Sequence, residues 1–122
     1  MSVAKRTVLI VDDDQQILRL VEKMLRPHGH NVVMAPRPSE ALRICESQPV
    51  HLMISDIMMP EMDGHKLADR FLKLQPESQV MLISGYARET GSKSPRIRFL
   101  KKPFLPSVLL QTLRELLPET EA

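Results

Sequence analysis

Residues 8–14 read Val-Leu-Ile-Val-Asp-Asp-Asp, four apolar side chains followed at once by three acids. An apolar run with no polar alternate is the pattern of a strand covered on both faces. The acids end it abruptly. Asp14 suits the N-cap of a following helix, in which Ile17, Leu18, Val21, Met24 and Leu25 recur at helical spacing and Pro27 marks the stop.

The same unit recurs along the chain. Asn31–Met34 is a short strand, and Ala41, Leu42 and Cys45 form the apolar side of a helix entered at Pro38-Ser39. Leu52–Ile54 runs into Ser55-Asp56, then comes a loop with Pro60 and Gly64, then a helix marked by Leu67, Phe71 and Leu74 and closed by Pro76. Val80–Ile83 ends at Ser84-Gly85, and Phe99-Leu100 ends at Lys101-Lys102-Pro103. Pro106 suits the first position of a last helix carrying Leu109, Leu113 and Leu116, with Pro118 after it. Strands alternating with helices imply a parallel sheet, because parallel neighbours need a crossover. Right-handed crossovers place helices on both faces. The expected fold is α/β: a flavodoxin-like (βα)5 doubly wound parallel sheet of order 2-1-3-4-5. Between the fourth and fifth strands, residues 86–95 are polar and rich in Gly, Ser and Pro. They predict a shortened or irregular fourth helix.

Composition narrows the function classes. At 122 residues the chain is expected to be one domain over 1–122, with its core from about 7 to 117. A net charge of +2 predicts neither nucleic-acid nor membrane binding. The single cysteine, Cys45, excludes an internal disulfide framework and a paired-cysteine zinc site. Without a signal-peptide core or an apolar stretch of spanning length, the expected location is the cytoplasm.

In an open parallel sheet, sites form beyond the C-terminal strand ends, near the point where strand order reverses. The residues there are Asp12 and Asp13 after the first strand, Asp56 after the third, Ser84 after the fourth and Lys102 after the fifth. Gathered carboxylates repel one another, by a few kcal/mol at about 4 Å near a protein surface. A hard divalent cation relieves this, and Mg2+ suits carboxylates with positions left for water and phosphate oxygens. Lys102 adds a mobile ammonium, Ser84 a hydroxyl donor, and a carboxylate is a known covalent nucleophile toward phosphorus.

VLIVDDD (8–14), MISDIMMPEMDG (53–64), LISGYA (82–87) and FLKKPF (99–104) together resemble the four signatures of response-regulator receiver domains of two-component signalling. The resemblance runs from about Thr7 to Leu117. It implies a phosphorelay module, rather than a conventional enzyme, that takes a phosphoryl group from a histidine kinase or a histidine phosphotransfer protein. It makes Asp56 the phosphoacceptor. It makes Asp12, Asp13, Asp56 and the Met58 carbonyl the ligands of Mg2+, or of Mn2+ in its place. Ser84 would be the switch hydroxyl, Phe99 the switch aromatic and Lys102 the lysine on the phosphoryl group, with a cis Lys102–Pro103 bond. Met58 and Tyr86, bulky and flanking the water path, imply slow loss of the phosphate. The interval from Ser84 to Lys102 is shorter than usual in the family, a departure that falls on the face of the last strand and its flanking helices commonly used for output. No effector region follows the last helix, as in a stand-alone receiver or a piece of a larger regulator or hybrid kinase.

Other readings compete. Asp12-Asp13-Asp14 could be a solvated cap, which accounts for Asp14 alone. Ser84-Gly85 could be a turn and Phe99 core. Met53, Met58, Met59 and Met62 fit packing better than metal binding. His28, His30, His51 and His65 lack metal-ligand spacing and are expected at the surface, and Lys101 in solvent. Arg88, Lys93, Arg96, Arg98, Lys101 and Lys102 form a basic run: a solvated loop, or a docking surface for an acidic partner. A phosphatase resembling the haloacid dehalogenases would use Asp12 and Asp14, but lacks a further acidic pair after the lysine. A flavin module would need a hydroxyl-rich loop after the first strand, where acids stand instead.

Overall fold

The computed structural model describes residues 6–85 and 95–117. Five strands, β1 (Thr7–Val11), β2 (Asn31–Ala35), β3 (Leu52–Asp56), β4 (Gln79–Ser84) and β5 (Ile97–Lys101), form one sheet of order β2-β1-β3-β4-β5. Every neighbouring pair is parallel. The helices are α1 (Gln15–Leu25), α2 (Pro38–Ser47), α3 (Gly64–Leu74) and α4 (Pro106–Leu116). This is the expected flavodoxin-like doubly wound order. The irregular fourth helix expected between β4 and β5 falls at 86–94, outside the described residues.

Alternation along each central strand divides the core in two. Val8, Ile10, Leu52, Ile54, Met81 and Ile83 pack with Leu18, Val21 and Leu25 of α1 and Leu109, Leu113 and Leu116 of α4. Leu9, Val11, Met53, Val80 and Leu82 pack with Ala41 and Cys45 of α2 and Leu67, Ala68 and Phe71 of α3. Both faces are therefore apolar, as the unbroken runs of β1, β3 and β4 require.

Two boundaries differ from the pattern in the sequence. Pro27 does not stop the chain at once: α1 passes into a short 3-10 turn, Arg26–His28, closed by Gly29 at φ 84°. Proline fits there because the first turn of a helix needs no N–H from it, and glycine takes the left-handed φ without strain. β5 extends beyond Phe99-Leu100 to Ile97–Lys101, because pairing with β4 from Val80↔Ile97 to Ser84↔Lys101 carries Ile97, Arg98 and Lys101 as well.

Gly64 fixes the loop that follows β3. A Cβ there would stand 2.6 Å from the Asp56 carbonyl oxygen and 2.8 Å from Ile57 Cα. Its N–H donates to the Ile57 carbonyl at 2.8 Å. The start of α3 thus sits directly on the end of β3. Gly64→Ala is expected to lower the unfolding free energy by about 1–3 kcal/mol, read as the midpoint of urea denaturation; an unchanged midpoint would show that the loop yields freely.

Candidate functional site: an acidic cluster at the strand ends

Parallel pairing brings the ends of β1, β3 and β4 side by side. Val11 lies opposite Ser55, and Asp56 opposite Ile83. Asp12 and Asp56 consequently end neighbouring strands. Asp12, Asp13 and Asp56 each offer a carboxylate oxygen, and these oxygens lie within 4.8 Å of one another. Lys102 comes to the same place from the end of β5, its backbone N–H held by the Ser84 carbonyl at 2.8 Å. Its Nζ stands 3.3 Å from Asp56 Oδ2, with both side chains largely shielded. Ser84 is buried at the end of β4. The Lys102–Pro103 bond is cis.

The acids divide by environment. Asp14 is spent on structure: its side chain accepts from the Gln16 N–H at 2.9 Å and caps α1. Asp13 is exposed. Asp12 is 2% exposed. Its Oδ1 accepts from the Asp14 N–H at 2.9 Å. Its Oδ2 is the one buried side-chain oxygen or nitrogen among the described residues without a hydrogen-bond partner. Burial pushes the Asp12 carboxyl up to about 6, aided by the negative charges of Asp56 and Asp13 and opposed by the Asp14 N–H and Lys102. Asp56 is half-buried, and its Oδ1 accepts from the Met58 N–H at 3.3 Å.

Three carboxylates face one ammonium, and one buried oxygen lacks a donor. A hard divalent cation satisfies both conditions, since it takes oxygen ligands and offsets their repulsion. The residues present therefore fit such an ion.

Met58 is 58% exposed beside the cluster. Phe99 is half-buried on the α2/α3 side of the sheet, its ring centroid 5.8 Å from that of His65 at a 44° tilt. Tyr86, Arg88 and Lys93 lie outside the described residues. The basic run is already partly engaged: Arg98 bonds Glu115 at 2.7 Å and Lys102 bonds Asp56, and Lys101 is exposed. Met53 is buried, and Met59 and Met62 pack on the α2/α3 core, so these three methionines are packing residues. His28, His51 and His65 are exposed and His30 is half-buried. Two of their contacts had no sequence signal, because the partners are distant in the chain: His51 Nδ1 accepts from the Thr7 N–H at 2.9 Å, and His65 meets Phe99.

Comparison with known proteins agrees with this arrangement. Residues 8–114 match the family described as "Response regulator receiver domain". The chain belongs to that family. It is 32% identical over 120 residues to the response regulator receiver protein CpdR of Brucella abortus (strain 2308), covering 95% of this chain and 94% of that protein. It is also 32% identical to the sensor kinase CckA of the same strain, over 94% of this chain but only 13% of CckA's length. Among solved structures, response regulator protein TrrA from Thermotoga maritima in complex with Mg2+-BeF superimposes with a TM-score of 0.81 at 26% identity, covering 92% of this chain and 99% of that one. As a receiver domain the chain is a phosphoacceptor module of two-component signalling, a family that works with histidine kinases or phosphotransfer proteins and binds Mg2+ at an acidic pocket. Among the described residues no helix is long and apolar enough to cross a membrane.

The burial of Asp12 has a measurable consequence. In the unfolded chain Asp12 loses its proton near 3.8, and in the folded chain near 6. Between those values the unfolded state holds fewer protons, so stability falls as pH rises, and above about 6 the full penalty applies. That penalty is about 3 kcal/mol with divalent ions chelated. Asp12→Asn removes the charge. The unfolding free energy of Asp12→Asn minus that of the wild type, in EDTA, is expected to grow from pH 4 to pH 7; a difference flat across that range would contradict the assignment.

Proposed function

We propose that Asp56 is the residue that receives the phosphoryl group. The observation that carries this is the Lys102 ammonium, 3.3 Å from Asp56 Oδ2, within a cluster that also holds Asp12 and Asp13. An Asp56 oxygen attacks the phosphorus of a phosphohistidine on the donor. The new O–P bond forms as the P–N bond breaks, and the electron pair leaves with the imidazole nitrogen. Lys102 exchanges its contact with the carboxylate for one with a phosphoryl oxygen, where its charge counts most. Asp12, Asp13, Asp56 and the Met58 carbonyl would hold Mg2+, with Mn2+ as a substitute. Bound there, the ion would neutralise charge on the phosphoryl oxygens and relieve the repulsion among the carboxylates. The chain thereby catalyses only its own phosphorylation and dephosphorylation.

The Ser84 hydroxyl and the Phe99 ring form the switch in this reading. Ser84 follows Ile83, the β4 residue opposite Asp56, and Phe99 stands opposite Leu82 on β5. Movement of Ser84 toward the phosphoryl group would draw on the strand that holds Phe99, and Phe99 would leave or tighten its contact with His65. Met58 beside the site favours a slowly lost phosphate.

The donor is a histidine kinase or a histidine phosphotransfer protein, and the receiver works beside it in the cytoplasm. An apolar cavity of about 440 Å3, lined by Ile17, Leu20, Lys102, Pro103 and Phe104, opens next to the lysine. Leu20 is 47% exposed there, and Leu105 just beyond is 66% exposed. A phosphodonor protein that brings its histidine to Asp56 can seat an apolar helix face in this groove.

Acetyl phosphate with Mg2+ is expected to add the mass of one phosphoryl group to the wild type and none to Asp56→Asn, while Lys102→Ala slows labelling roughly a hundredfold. Labelling of Asp56→Asn to the wild-type level, read by intact mass, would refute the assignment. Leu20→Asp is expected to slow transfer from a phosphodonor protein and to leave acetyl phosphate labelling unchanged; equal slowing of both would remove the groove from the account.

A further inference from the structure

Helix α2 begins without a cap of its own. Arg37, at the N-cap, makes no side-chain capping bond, and Pro38 follows at the first helical position. Proline has no N–H, so the first donor needing a partner is that of Ser39. Glu40, the acid in the first turn, is engaged with Arg37 at 2.6 Å. The Ser39 N–H is instead taken by Glu61 Oε1 at 2.8 Å, from the loop between β3 and α3. Ser39 and, less strongly, the nearby Arg37 charge hold the Glu61 carboxyl below the usual carboxylate range.

That loop also carries Met58. Its ends are tied locally: the Met58 N–H to Asp56 Oδ1, the Gly64 N–H to the Ile57 carbonyl, and Asp63 Oδ1 to the Lys66 N–H at 2.9 Å. Met59 and Met62 pack on the core beneath. Glu61 ties its middle to a different element. A cavity of about 260 Å3 lies between the tie and the acidic cluster, with Glu61 and Arg37 on its wall together with Asp13. Asp13 is also one of the three clustered carboxylates.

We propose that Glu61 is a positioning residue of the divalent-ion site: by capping α2 from the loop, it holds the Met58 carbonyl where the ion needs it. The inference rests on the ligand reading given above for Met58. Groups that orient ligands contribute to metal affinity without touching the metal. Coupling is reciprocal, so an ion that fixes the loop also acts on the Ser39 N–H.

The test is a Mg2+ titration of the whole chain followed by amide NMR, on wild type, Glu61→Ala and Glu61→Gln. In the wild type the Ser39 amide is expected to shift along the same curve as Asp13. In Glu61→Ala the dissociation constant is expected to rise roughly three- to tenfold, with the Ser39 response lost. Glu61→Gln keeps the acceptor oxygen without the charge, and is expected to stay within about twofold of the wild type. Equal weakening in both variants would mean that Glu61 acts by charge alone, and would overturn the inference. So would unchanged Mg2+ affinity in Glu61→Ala. A wild type that binds no Mg2+ would overturn the metal-site reading, and this inference with it.

Discussion

A carboxylate buried without a full set of partners is the constraint on which this structure turns. Asp12 lies at the end of β1 with Oδ2 unpaired and with the charges of Asp13 and Asp56 beside it. Its desolvation opposes the folded state. A fold selected for stability alone would place an apolar or amide side chain there. The position makes sense as half of an interaction whose other half is a cation, with Lys102 offsetting only part of the local charge.

The rest of the architecture serves to hold that charge cluster still. Each carboxylate stands at or just past the end of a strand whose two faces are packed with aliphatic side chains, so the strand ends cannot drift apart without opening one of the two cores. Gly64 lets the start of α3 close onto the Asp56 backbone, where any Cβ would collide. Asp14 ends β1 in an orderly way by capping α1, which leaves Asp12 and Asp13 to the site. The cluster is thus held by the sheet on one side and by the tied β3–α3 loop on the other.

In the proposed switch, Phe99 and His65 are the pair through which a change at the cluster would be read. Phe99 is neither sealed in the core nor free in solvent, and its ring meets His65 at a tilt rather than in a close stack. A half-buried aromatic with an exposed partner gives up less buried area on moving than a core residue would. The pair between Arg98, on the same strand as Phe99, and Glu115 of α4 is solvent-exposed and contributes little to holding the strand.

The sequence by itself determined the strand–helix alternation, the parallel order and the identity of the five polar residues at the strand ends. Apolar runs, caps and prolines are local signals, and the C-terminal-end rule turns them into a site. It also carried the family, through four short motifs in order. Tertiary structure alone decided what depends on meetings between distant residues. The length of β5 came from pairing with β4, since Arg98 breaks the apolar run of its own sequence and Lys101 ends it. The 3-10 turn through Pro27 came from the way α1 runs into Gly29. The division of three adjacent acids into a cap, an exposed member of the cluster and a buried one whose carboxyl is raised by desolvation came from tertiary burial, which no run of identical residues encodes. Glu61 looked like one more loop acid until the chain folded and set it against a helix whose first free N–H had no partner of its own.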